Sequence, residues 1–167
     1  MGVRSIGKLE SDTQLRDLVR EYLNHEILEL RAVSGLDLDV DELVSKTFDD
    51  INEYLPPAGG LHVSIDDGGQ LQGCVFLRMI RPDACEIKRL YVKPAARGLG
   101  LGRRLVENIL SQARDLGATN VFLDTGVYDT AAQSLYRSLG FREIDGYPEG
   151  ESDPELKPYL LFMQFDF

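Results

Sequence analysis

Between Asp12 and Arg31, the apolar residues Leu15, Leu18, Val19, Tyr22, Leu23, Ile27 and Leu30 recur every three or four positions. That spacing puts them on one side of a helix and predicts an amphipathic helix with a buried stripe. Ser11 or Asp12 can cap its start, and Gly35 stands where it should stop. A second, weaker helical pattern runs from about Val40 to Tyr54, with Leu43, Val44, Phe48 and Ile51 inward, until Pro56-Pro57 ends it. The aspartates Asp37, Asp39 and Asp41 ahead of it read as a solvated turn and helix start, where carboxylates favour the positive end of the dipole.

The period then shortens. Leu61 to Ile65 reads as a strand, Asp66-Asp67-Gly68-Gly69 as a hairpin turn, and Gln70 to Ile80 as the partner strand. After the turn Arg81-Pro82-Asp83, Ala84 to Val92 is a third strand. A glycine-rich loop, Pro94 to Gly102, opens a helix from about Arg103 to Asp115, and Gly117 suits the left-handed position after it. A strand over Asn120–Asp124, a helix from Thr130 to Ser138 and strands over Phe141–Ile144 and Tyr159–Phe165 complete the chain. The order ααβββαβαββ predicts one mixed α/β domain over residues 1–167, mostly antiparallel, with one crossover.

Composition narrows the function. Eighteen basic against 28 acidic residues leave a net charge of −10, which argues against a nucleic-acid binder. No apolar run reaches the roughly 20 residues of a membrane span, and the first residues lack the apolar core of a signal peptide. Cys74 and Cys85 form no CxxC and sit in apolar strand-like runs, as small buried hydrophobes of a reducing cytosol would. With two histidines, no metal cluster can be assembled from spacing, so no metal is expected. His25 and His62 have no Ser or Cys at motif spacing and read as partly exposed, non-catalytic residues.

Charge is most uneven around the glycine loop. Lys88, Arg89, Lys93, Arg97, Arg103 and Arg104 lie within one stretch that contains no acid. Arg97-Gly98-Leu99-Gly100-Leu101-Gly102 lets main-chain N–H groups approach a ligand without a Cβ in the way. Strand, loop and helix start together make an anion cradle. The P-loop pattern GxxxxGK[ST] is absent, and the third glycine of GxGxxG is replaced by Arg103. Asp124 does stand where a dinucleotide fold puts its ribose-binding acid, which keeps a nucleotide-dependent oxidoreductase as an alternative.

The residues around the loop resemble a known family. Glu86-Ile87-Lys88-Arg89-Leu90-Tyr91-Val92 followed by the loop is similar to the acetyl-CoA motif of the GNAT N-acyltransferase superfamily, whose [Q/R]xxGx[G/A] is matched by Arg97, Gly100 and Gly102. The run Ala132 to Phe141 resembles the family's AxxLYxxxGF segment. The resemblance implies a GNAT-like α+β sandwich with a mostly antiparallel central sheet, and an acetyl-CoA-dependent N-acetyltransferase. It implies that the amides of Arg97, Gly98, Leu99, Gly100, Leu101 and Gly102, with Arg103, bind the CoA diphosphate. The backbone of Leu90, Tyr91 and Val92 would pair with the pantetheine, one amide polarising the acetyl carbonyl. Where the family often has Asn, this chain has Asp129, whose carboxylate can still accept a hydrogen bond from the pantetheine arm.

Two protons must move in such a transfer. An amine is mostly ammonium at neutral pH, so a base must deprotonate it before attack. By two-residue alternation Glu86 shares a strand face with Lys88, Leu90 and Val92, which makes it the candidate base, directly or through water. The competing reading is an exposed strand carboxylate paired with Lys88 or Arg89. The departing thiolate needs a proton, and Tyr136 is the candidate acid; the competing reading is a core aromatic beside Leu135, Leu139 and Phe141. Glu149, Glu151, Asp153 and Glu155 read as a solvated loop, or as an acidic lip that attracts a cationic acceptor. The expected reaction is direct attack by a primary amine of a small molecule or peptide, since no Cys or Ser is placed to form an acyl-enzyme. A non-catalytic acyl-CoA-binding regulatory module is the other reading of the cradle. The expected setting is a cytoplasmic protein without nucleic-acid or membrane partners, with a homodimer left open because dimers are common among such proteins.

Overall fold

The computed structural model describes residues 1–9, 11–151 and 153–167. Ser152, inside the acidic segment before the last strand, lies outside the described residues. The long apolar stripe forms α1 (Thr13–Ser34), which ends at Gly35 with φ 76. Asp12 stands at its N-cap, but its carboxylate pairs with Arg16 rather than with the helix amides. Asp39, by contrast, accepts from the N–H groups of Asp41 and Glu42 and caps α2 (Val40–Asp49). The second helical pattern therefore stops earlier than expected, and Ile51–Tyr54 continues as a tighter 3-10 turn.

Among the described residues, seven strands build one sheet: β1 (Gly2–Ser5), β2 (Gly59–Ile65), β3 (Leu71–Arg81), β4 (Ala84–Val92), β5 (Asn120–Gly126), β6 (Arg142–Ile144) and β7 (Leu160–Asp166). Their order across the sheet is β1-β2-β3-β4-β5-β7-β6. Every neighbouring pair is antiparallel except β4 and β5. The crossover between those two strands is α3 (Leu101–Asp115), and α4 (Thr130–Ser138) follows β5. This is the expected mixed, mostly antiparallel α+β fold, with one strand more than the sequence pattern predicts. β1 is mostly exposed and lacks an alternating apolar face, so periodicity could not mark it.

Strand alternation divides the core between the two faces of the sheet. Val75, Leu77, Cys85 and Ile87 pack with Leu105, Val106 and Ile109 of α3, while Cys74 and Phe76 pack with Leu18, Val19 and Phe48 of α1 and α2. Both cysteines are fully buried, and burial pushes their thiols up to about 12 and about 11. His62 is also buried, contrary to the expectation of partial exposure. Its Nε2 is 2.6 Å from Gln112 Oε1 of α3, and desolvation lowers its pKa.

Two irregularities of β4 position everything that follows. First, β4 pairs with β5 only at Ala84, Cys85 and Glu86; from Ile87 onward the two strands have no paired residues. Second, the register against β3 slips between Cys74 and Phe76, where Arg89 adopts φ 56. One extra residue in β4 makes a bulge, which reverses the alternation beyond it. Leu90 and Val92 therefore join Cys85 and Ile87 on the α3 side, and Tyr91 turns towards α1. The expectation that Glu86 shares a face with Leu90 and Val92 is corrected here: two-residue counting cannot see an inserted residue.

Candidate active site

The glycine loop is built for main-chain contact. Gly98 and Gly100 have φ 77 and φ 71, and a Cβ at either would meet nothing within 4 Å. Their conformation favours glycine, and the space in front of them is open. Gly100 is the N-cap of α3, so the helix begins at Leu101, two residues before the position expected from the sequence. The first helical hydrogen bond runs from Arg104 N–H to Gly100 O, so the amides of Leu101, Gly102 and Arg103 have no acceptor within the helix. Leu101 is buried and anchors the turn, whereas Leu99 is exposed. Arg97 donates to Val92 O at 3.1 Å, and Arg103 donates to Ser138 Oγ at 2.6 Å, which ties the loop to β4 and α4. The three sequence-predicted groups, loop, strand edge and α4, thus meet at one place.

Beside the loop, the parting of β4 from β5 leaves the strand edge from Ile87 to Val92 without a β5 partner. Tyr91 contributes main chain there, because its ring is buried against Tyr22 and its hydroxyl donates to Glu21 Oε1 at 2.9 Å. Burial and Glu21 push that phenol up to about 12. Asp129 is the N-cap of α4; one carboxylate oxygen accepts from Ala132 N–H at 3.0 Å.

The splay opens into a cavity of about 390 Å³, lined by residues of α1, α2, β4, β5, α4 and the loop before β7. Tyr136 lies in its wall, packed on Phe141 with ring centroids 5.4 Å apart. Its hydroxyl has no hydrogen-bond partner among the described residues, yet it is not among the fully enclosed unpaired atoms, so it reaches the cavity. Burial, then the charges of Asp129, Asp124 and Glu26, hold this phenol well above its usual range. It is a protonated donor facing open space.

Glu86 is paired with Lys88, as the competing reading expected, but it is not exposed. It is completely buried. Arg78 Nε donates to its Oε2 at 2.8 Å, while Lys88 Nζ lies 3.0 Å from its Oε1 and Tyr147 Oη donates to that same oxygen at 2.5 Å. Lys88 also donates to Asp124 Oδ2 at 2.8 Å. Burial opposes the Lys88 charge, but Asp124 and Glu86 outweigh it and raise its pKa. Asp124 is thus a partner of Lys88 rather than a lone acid at a strand end. Arg78 and Lys88 line the cavity, and Glu86 stands behind them.

Sequence reasoning missed two groups. Tyr147 comes from the acidic segment after β6, stacks on Phe122 at 4.9 Å, and is the link to Glu86. A Gly-Tyr-Pro interruption of an acidic loop was its signal. The other is Glu26 of α1, in the cavity wall, with Tyr128 Oη donating to its Oε2 at 3.3 Å. Burial and the nearby charge of Asp129 push Glu26 up to about 7, against the opposing hydrogen bond from Tyr128. Its signal was a carboxylate one turn after Tyr22, between the buried Leu23 and Ile27. Glu149 and Glu151 also reach the cavity wall, Glu149 held by Arg81 at 2.7 Å.

An anion cradle, an unpaired strand edge and an adjoining cavity with a phenol and a near-neutral carboxylate define a group-transfer site for an extended anionic donor. The Acetyltransferase (GNAT) family matches residues 21–141 of this chain. An uncharacterised N-acetyltransferase of Schizosaccharomyces pombe is 36% identical over 131 residues, covering 78% of this chain and 76% of that protein. An IAA acetyltransferase of Azospirillum brasilense is 44% identical over 79 residues, 47% of this chain and 49% of that protein. In fold, the chain matches the PaiA N-acetyltransferase of Thermoplasma acidophilum, solved in complex with coenzyme A, with a TM-score of 0.71 at 16% identity over 100% of both chains. The chain belongs to the GNAT acetyltransferase family and is an N-acetyltransferase.

Proposed function

We propose that the protein transfers an acetyl group from acetyl-CoA to a primary amine by direct attack within a ternary complex. The observation that carries this reading is the junction of the Gly98–Arg103 amides with the unpaired edge of β4 and the cavity holding Tyr136. The donor fits because the loop offers unobstructed amides and positive φ at Gly98 and Gly100, as a diphosphate needs. Arg97, Gly98, Leu99, Gly100, Leu101, Gly102 and Arg103 would hold that diphosphate. The main chain of Leu90, Tyr91 and Val92 would hold the pantetheine, with Asp129 at its other side. The PaiA N-acetyltransferase, similar in fold and solved in complex with coenzyme A, supports the same donor.

When bound, the donor supplies a thioester as the activated acyl group. The chain's own residues handle charge and protons. A main-chain amide at the β4 bulge is positioned to stabilise the negative charge that grows on the acetyl oxygen, a stabilisation present mainly in the transition state. Glu26 accepts the proton from the ammonium, being ionised in part at neutral pH and facing the cavity. As the N–C bond forms and the C–S bond breaks, Tyr136 gives its proton to the leaving sulfur; the acylated nitrogen then loses its second proton to the phenolate, and Glu26 releases the first to solvent. Glu86, the base first expected, acts in this reading as a positioning residue. It fixes Arg78, Lys88 and Tyr147.

The test is release of free thiol on mixing the protein with acetyl-CoA and a panel of primary amines. Thiol release coupled to N-acetyl product is the expected result. Saturable CoA binding without any acetylated product would assign the cradle to a binding module instead.

A further inference from the structure

The cavity wall contains a partly buried cation without an ion-pair partner among the described residues. Arg78 and Lys88 are matched by Glu86, Glu53 and Asp124. Arg89 is not: no carboxylate lies within ion-pair distance of it among the described residues. Its guanidinium is nonetheless fixed. Nε and Nη2 donate to Thr47 Oγ1 of α2 at 3.3 and 3.1 Å, and that hydroxyl donates onward to Leu43 O at 2.8 Å. Two N–H groups are thus used and three remain. The residue also holds φ 56, a left-handed backbone that a side chain disfavours. A partly buried, immobilised guanidinium on a strained backbone, facing a cavity, is set to meet a planar anion through its remaining fork.

The diphosphate is a poor candidate for that anion, because its cradle begins beyond Val92 while Arg89 turns to α2 on the other side of β4. An acceptor is the better fit, since Glu26, the group that meets the amine, lines the same cavity as Arg89 and the two are not paired with each other. One guanidinium and one carboxylate, each held by its own hydroxyl neighbour, complement a molecule that carries an anion and an ammonium together. We infer that the acceptor is a free amino acid, whose carboxylate Arg89 anchors while its amine is presented to Glu26. This rests on the acetyl transfer proposed above and names the substrate class of that same cavity.

Matched acceptors test it: amino acids against the same amines lacking the carboxylate, each assayed for thiol release from acetyl-CoA with wild type, Arg89→Gln and Thr47→Val. A charge-assisted pair predicts a preference in kcat/KM of about tenfold to a hundredfold for the carboxylated member. Arg89→Gln should abolish that preference, chiefly through KM for the carboxylated member, while the Kd for CoA stays within about twofold. Thr47→Val keeps the charge but frees the side chain, so a smaller rise in KM is expected, which guards against misfolding of the first variant. Equal or better turnover of decarboxylated amines by wild type would overturn the inference while leaving the transferase intact, as would a preference that survives Arg89→Gln. No thiol release with any member would overturn both.

Discussion

The two sides of β4 solve different problems with different materials. Towards α3, the cradle uses main chain: glycines with positive φ, helix-start amides and one exposed leucine whose side chain does nothing visible. Towards α1 and α2, the cavity uses side chains that are buried, charged and held in networks reaching across the fold. A donor common to a whole family can be gripped through groups that every sequence possesses, whereas an acceptor has to be recognised by side chains. The bulge at Arg89 is the joint between the two, because it turns Leu90 and Val92 to the α3 side and Tyr91 towards α1.

Gly100→Glu should break the donor side alone. Its φ of 71 strains any side chain, and a carboxylate would face the bound phosphates. CoA affinity should fall at least a thousandfold by calorimetry while circular dichroism stays native. Glu86→Gln should break the acceptor side alone. It leaves Arg78 and Lys88 short of a buried counter-charge, so stability should drop by about 3 kcal/mol in urea unfolding, with CoA binding retained near its wild-type value.

Tyr136→Phe separates chemistry from packing. Its hydroxyl makes no hydrogen bond among the described residues, so the melting temperature should hold within about 2 °C while kcat drops about a hundredfold. Unchanged kcat would return Tyr136 to the core.

Glu26→Gln should act through pH. Burial pushes the folded carboxyl up to about 7 from its ordinary 4.5, so wild-type activity should rise with pH through about 7 and the variant should lack that limb. Linkage gives the stability sign. Between those two values the folded state holds the extra proton, so wild-type stability falls as pH rises, and the variant should melt higher at about pH 8 and equally at about pH 4. The smallest effect belongs to Leu99→Ala: its side chain is exposed, so CoA affinity should change less than about twofold and stability less than about 0.5 kcal/mol.

The contrast also explains what could be read from the chain. The loop, α3 and α4 are local, so glycine spacing and helical periodicity disclosed them to within two residues, as alternation disclosed most strands. The cavity is assembled from afar. Tyr128 meets Glu26 across 102 residues and Tyr147 meets Glu86 across 61, separations at which no periodicity operates. Glu86 was picked out by its place on the strand, but its burial follows from Arg78 and Tyr147 closing over it. The bulge stayed invisible because one inserted residue leaves no compositional mark, and β1 because an exposed four-residue edge strand has no apolar face to show.

Isothermal titration of coenzyme A into the wild-type protein, with Leu99→Ala and Gly100→Glu alongside, addresses the main-chain cradle most directly. One saturable site is expected in the wild type and in Leu99→Ala, and none in Gly100→Glu. Absence of a saturable site in the wild type, or equal binding by Gly100→Glu, would contradict it.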